Sequence, residues 1–277
     1  MIPVDQARVG YFCACYFGRR RRADGWDRGL ENPALSFIIK QLEIIPRHLS
    51  VVSRVSFICN VDADDEQQRS TFAAAKSLVE SHNADSSVQW DIFRRPNENA
   101  SYGAWASGLE ALGSELDYVF LVEDDYVPAF PGFDADVVQR YFSNERAQSS
   151  IIGATSVWVD DTLLAGDRHK GSKAIRQGVP HAAVSNGIVN VSVYNKVEGG
   201  FAFAGDASAL GQVPNQAYYK SACDTQVCYL KPYTTAGYKV INMSQHYRIP
   251  FVSSDGRRDW AFGPPDAETL FIPVELL

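Results

Sequence analysis

The sequence predicts an α/β fold: a mainly parallel central sheet flanked by helices, with a smaller mixed β region in the second half. Three observations predict it. Short apolar runs alternate with helix-period segments from the N-terminus to about residue 122. Cap and turn residues punctuate that alternation, and two acidic clusters stand at the ends of predicted strands. In such sheets ligands bind beyond the carboxyl ends of the strands, so the acidic clusters mark a candidate site.

The elements follow in order. The run from Arg8 to Phe17 (RVGYFCACYF) is almost continuously apolar and reads as a buried strand. Asn32 and Pro33 supply an N-cap and a first-turn proline, Leu35, Ile38, Ile39, Leu42 and Ile45 follow at helical spacing, and Pro46 should stop the helix. A second strand, Val55 to Val61, ends in the acidic turn Asp62-Ala63-Asp64-Asp65. A helix from about Glu66 to Ser81 places Phe72, Leu78 and Val79 inward. Val88 to Phe93 is a third strand; Ser101 caps a helix with Tyr102, Trp105, Leu109 and Leu112 in one stripe; Leu116 to Val122 is a fourth strand that runs into Glu123-Asp124-Asp125. Beyond about residue 145 the pattern loosens. Ile188 to Tyr194 reads as a short strand, Asp224 to Leu230 as a helix closed by Pro232, and Tyr238 to Met243 as a further strand.

Composition narrows the function classes. The chain has 277 residues, a formal charge of −7 and 45% apolar residues, which suits one domain with a sizeable core. An acidic chain is not built to coat nucleic acid. It contains no apolar run of about eighteen residues that could span a membrane, so at most peripheral membrane contact is expected. The first residues, Met1 to Gln6, lack the basic head and apolar stretch of a signal peptide. Five cysteines (Cys13, Cys15, Cys59, Cys223, Cys228) without a Cys-x-x-Cys pair read as reduced core thiols, and a cytoplasmic location is expected. The Asn-x-Ser sequons at Asn99, Asn190 and Asn242 are then chance matches.

Leu121 to Pro128 (LVEDDYVP) is the most informative stretch. Three consecutive carboxylates at the end of an apolar strand repel one another, and a shared cation would offset their desolvation. A hard divalent ion such as Mn²⁺ or Mg²⁺ takes carboxylate and phosphate oxygens together. The alternative from the residues alone is a solvated acidic turn.

Three motifs in order carry a resemblance: the acidic turn 60–65 (NVDADD), the Asn/Gly-containing stretch 95–108 (RPNENASYGAWASG), and the strand with acids and proline, 120–128 (FLVEDDYVP). Together they resemble the GT-A glycosyltransferases of the family-2 type, over residues 8 to 246. The resemblance implies one GT-A (Rossmann-like) domain across 1–277, with a nucleotide-sugar-binding half over 1–130 and an acceptor-binding and catalytic half over 131–277. It implies transfer of a sugar from a nucleoside-diphosphate sugar, a UDP-sugar being favoured, to a hydroxyl of a glycan or lipid-linked glycan, with inversion and a divalent metal.

Matched residue by residue, the family's acidic motif falls on Glu123, Asp124 and Asp125. The Glu-Asp-Asp form is similar to that of the N-acetylglucosaminyltransferase branch, which implies Asp125 as the principal metal ligand. Glu123 and Asp124 would face the ribose or the water on the metal. In the commoner register the first acid would fall on Val122, so Asp124 stays a second metal candidate. Asp62 resembles the family's base-recognising acid, while Asp64 and Asp65 read as turn and cap. Asn99 would orient the sugar nucleotide; Ser101 would do so or simply cap. The stretch 221–230 (SACDTQVCYL), followed by Gly237-Tyr238-Lys239, resembles the family's acidic dyad, helix and strand; it implies Asp224 as catalytic base, with Cys223 where the family has a second acid. His246 matches a third metal ligand or diphosphate contact, and Arg248 could fork to phosphate. Arg257 and Arg258 read as a closing loop or a solvated turn, and Arg19 to Arg22 as an anion-attracting or solvated loop.

No phosphate loop, dinucleotide fingerprint, nucleophile elbow or His-Glu-x-x-His sequence is present. Two alternatives stand beside the transferase: a sugar nucleotidyltransferase, which would form pyrophosphate, and a degenerate domain that only binds, for which the Cys223-Asp224 pair is the best support.

Overall fold

The computed structural model describes residues 6–18, 34–83, 86–97, 100–142, 149–154, 157–158, 181–182, 185–198, 200, 232–233, 236–243 and 251–253. The first half alternates as expected: β1 Val9–Tyr16, α1 Ala34–His48, β2 Val52–Asn60, α2 Glu66–Asn83, β3 Gln89–Arg95, α3 Ala100–Leu112 and β4 Tyr118–Glu123. After these come β5 Tyr126–Pro128, α4 Phe133–Phe142, β6 Ser150–Ala154, β7 Val157–Trp158, β8 His181–Ala182, β9 Gly187–Asn190, α5 Val191–Tyr194, β10 Lys239–Asn242 and β11 Phe251–Ser253.

Seven strands form one sheet in the order β10-β6-β9-β4-β1-β2-β3. β4, β1, β2 and β3 are mutually parallel, β9 runs against β4 and β6, and β10 is parallel to β6. The sheet is therefore mainly parallel, and the second half extends it. Two antiparallel pairs, β5 with β11 and β7 with β8, lie apart from it. The chain winds from β1 outward to β3 and then returns to the other side of β1 with β4. That reversal is the topological switch point, where the crevice beyond the strand ends opens.

Alternate residues of β1 and β2 feed two cores, because successive strand side chains point to opposite faces. Tyr11, Cys13, Cys15, Phe57 and Cys59 pack with Ile38 and Ile45 of α1, Val79 of α2 and Phe133 of α4. Phe12, Ala14 and Ile58 pack with Trp105 and Leu109 of α3 and with Val191 of α5. α3 lies close to the sheet because Gly108 has no side chain: a Cβ there would stand 2.4 Å from Cδ1 of Ile58.

Several expectations need correction. α1 does not stop at Pro46 but runs to His48. Proline costs the Leu42 carbonyl its helical partner, yet the last turn still closes, with Leu49 N donating to Ile45 O at 3.0 Å. Leu78, assigned to the inner face of α2, and Ile39, among the residues at helical spacing in α1, are each 40% exposed, while Gln41 and Gln68 are buried. The strand expected over 188–194 ends at Asn190, whose side chain accepts from Val193 N at 3.3 Å and starts α5. Ser101 lies inside α3 rather than capping it. The Asn32-Pro33 cap and the helix from Asp224 to Leu230 lie outside the described residues.

Candidate active site

The carboxyl ends of the parallel strands bring two of the predicted acidic groups to one edge of the sheet. β4 ends at Glu123, in register with Ala14 on β1. The chain then turns through Asp124 and Asp125 into β5. β2 ends beside β1 on the other side and delivers Asp62. Acids from β4 and β2 thus flank the end of β1.

The three motif acids separate. Glu123 is half-buried, and its two carboxylate oxygens accept from Ser101 Oγ at 2.8 Å and Ser185 Oγ at 3.2 Å. Asp124 is 1% exposed. Its N–H donates to Ala14 O at 3.1 Å and its carboxylate accepts from Tyr16 N at 3.2 Å, so it stitches the turn to the end of β1. Asp125 is half-buried in the turn between β4 and β5. Among the described residues, no three His, Cys, Asp or Glu side chains gather into a metal-holding group. Glu123 and Asp124 each have protein donors that offset part of their desolvation. Of the two candidate ligands, Asp124 is turned into the protein and Asp125 is half-buried.

Asp62 is exposed, and Gln68 positions it from the third position of α2. Gln68 Oε1 accepts from Asp62 N at 2.9 Å, and its Nε2 donates to Asp62 Oδ2 at 3.0 Å and Asp65 Oδ2 at 2.9 Å. Asp65 accepts from Gln68 N at 2.9 Å and caps α2. The hydrogen bonds from Gln68 hold the Asp65 carboxyl below its ordinary range. Asp65 is therefore a cap, as its spacing suggests, and Asp62 is left presenting an oriented carboxylate. On β3, Arg95 donates to Asn60 Oδ1 at 2.5 Å and Ser107 Oγ at 3.1 Å, tying the strand ends to α3.

Beneath the turn lie Cys13, Cys15 and Cys59, all buried, as core thiols should be. Burial pushes the Cys13 and Cys59 thiols well above their ordinary range. Asn99, Asp224, His246 and Arg248 lie outside the described residues, as do Cys223, Cys228, Arg19 to Arg22, Arg257 and Arg258.

Three site residues escaped sequence reasoning. Gln41 reaches the acidic turn from α1, Gln68 orients Asp62, and Ser185 holds Glu123 just before Asn186, whose φ of 57° turns the chain into β9. A signal existed for Gln41, an amide standing on the apolar stripe of α1, and for Gln68, at the third helical position after Asp65. Ser185 had none, since its partner is distant in sequence.

No protein-family model matches the chain, and no curated protein matches its sequence. Among solved structures, the chain is similar to a mannosyltransferase from Pyrobaculum calidifontis in complex with GDP-Man and Mn²⁺, with a TM-score of 0.49, 11% identity, and coverage of 85% of this chain and 54% of that one. This chain therefore spans about half the length of the mannosyltransferase. It is also similar to mouse xyloside xylosyltransferase 1 in its apo form, with a TM-score of 0.40, 9% identity and 86% coverage of each chain. No described helix is long and apolar enough to cross a membrane.

Proposed function

We propose that this chain is a metal-dependent GT-A glycosyltransferase that moves a sugar from a nucleoside-diphosphate sugar to an acceptor hydroxyl with inversion. The observation that carries the reading is the placement of Asp125, half-buried in the turn after β4 at the switch point, with the exposed Asp62 across the end of β1. The ordered motif resemblance supports the same reading.

The donor set fits a hard divalent cation. Mg²⁺ and, by the same chemistry, Mn²⁺ are commonly held by one or two carboxylates together with substrate phosphates, so a single accessible carboxylate suffices on the protein side. Asp125 would hold the ion, with His246 as its second protein ligand. When bound, the cation would neutralise the negative charge of the departing diphosphate. Asp124 keeps the turn against β1, and Glu123, braced by Ser101 and Ser185, faces the ribose side. Asp62 accepts an N–H from the base, which favours a uracil nucleotide, and Asn99 and Arg248 orient the sugar nucleotide and its phosphates. Asp224 takes the proton of the acceptor hydroxyl as that oxygen attacks the anomeric carbon from the face opposite the leaving group. A glycan or lipid-linked glycan would supply that hydroxyl in the cytoplasm.

Two substitutions test the roles. Asp125→Ala should abolish both transfer and donor hydrolysis. Asp224→Asn should bind donor normally but lose about a hundredfold or more of its transfer rate, the usual worth of a general base. Undiminished transfer by either variant removes that residue from its role.

A further inference from the structure

We infer that Gln41, on α1, is a positioning residue for the proposed site, acting by fixing the main chain on both sides of Asp125. Gln41 is fully buried, and the other buried positions of α1 are Ala34, Ile38 and Ile45. Its Nε2 group donates to Asp124 O at 3.1 Å and to Tyr126 O. Its Oε1 accepts from Tyr11 Oη at 3.1 Å. Carbonyl oxygens only accept, so their two positions fix which way the amide faces.

The pinned carbonyls belong to the residues immediately before and after Asp125. One rigid side chain, itself anchored through Tyr11 to β1, therefore brackets that residue's backbone. Tyr11 is wholly buried, and burial pushes its hydroxyl well above its ordinary range, so it stays a neutral donor. A packing role does not explain an amide here. An apolar side chain of the same length would fill the space but lose both hydrogen bonds to the turn. A hydrogen-bonded bracket sets the direction in which a turn residue projects, and a ligand displaced by an ångström binds its ion less well. Any consequence for metal and nucleotide rests on the function proposed above; the bracket itself does not.

The test compares the wild type with Gln41→Met, which keeps chain length and apolar packing but removes both donors. Hydrogen exchange across 121–128 should quicken by at least about tenfold in the variant, while α2 exchanges as before. In Mn²⁺ titrations read by electron paramagnetic resonance with UDP present, the apparent Kd for Mn²⁺ should rise by about tenfold. The transfer rate at saturating Mn²⁺ should stay within about threefold. Unchanged exchange across 121–128 would overturn the inference, and so would a loss of rate that added Mn²⁺ does not repair. If the wild type takes up no Mn²⁺, the metal reading fails, while the exchange comparison still decides the role of Gln41. If Gln41→Met does not fold, Tyr11→Phe deletes only the anchoring hydroxyl. It should quicken exchange across 121–128 by about threefold, and no change there would overturn the inference.

Discussion

The two ends of the parallel sheet treat their acids differently. At the amino end, Asp117 before β4 takes Arg8 at 2.9 Å, and Arg54 on β2 bridges Asp91 at 2.6 Å and also Glu115. Asp134 of α4, fully buried, accepts from the main-chain N–H groups of Ser50, Val51 and Val52 at 2.7–3.0 Å. At the carboxyl end, two serine hydroxyls donate to Glu123, the Tyr16 main-chain N–H donates to Asp124, and the Gln68 amide donates to Asp62. Guanidinium groups and a nest of N–H groups cancel a carboxylate's charge locally; neutral hydroxyls and amides orient it without adding a positive charge. The acids of the amino end hold the fold; under the proposed function, those of the carboxyl end face a ligand.

Substitutions at the amino end sharpen this contrast. The largest expected effect on stability is at Asp134, because Asp134→Ala strands three N–H groups at the start of β2. Denaturant unfolding should show a loss of about 3 kcal/mol. A loss below about 1 kcal/mol would mean that water replaces the carboxylate and that this end is less rigid than argued. A smaller effect is expected at Asp117. Burial pushes its carboxyl up, but the hydrogen bonds and charge of Arg8 outweigh that and leave it below the ordinary range. Its folded value is lowered, so its stabilisation is present above the unfolded value of about 4 and fades as pH falls through the folded one. Arg8 is 57% exposed, so the pair is worth at most about 1 kcal/mol. Melting curves between about pH 2 and 6 should show a shallower acid-side decline for Asp117→Asn than for the wild type. Parallel curves would remove the pair from the account.

Much of the architecture was legible because strand and helix periods differ and short-range signals punctuate them. Val9–Tyr16 and Tyr118–Glu123 are nearly unbroken apolar runs, and only a strand buried on both faces needs such a run. Asp65, read as a cap, announced the start of α2. What was not legible depended on long-range partners. Nothing near Ser185 in sequence says that its hydroxyl meets Glu123, and nothing near Asp124 says that its carboxylate turns inward to Tyr16 N. On α1, Ile39 is exposed and Gln41 buried for a related reason. Periodicity assigns apolar residues to the core, whereas a buried amide is retained where main-chain carbonyls need donors.

Under the proposed function, Asp125 holds a cation shared with a nucleoside diphosphate. Titration calorimetry with UDP, and with GDP in parallel so that base preference does not decide the outcome, measures this directly. The wild type should bind one of the two at least about tenfold more tightly with Mn²⁺ than without it, and Asp125→Ala should lose that gain. Equal affinity with and without Mn²⁺ in the wild type, or a gain that survives in Asp125→Ala, would contradict the account.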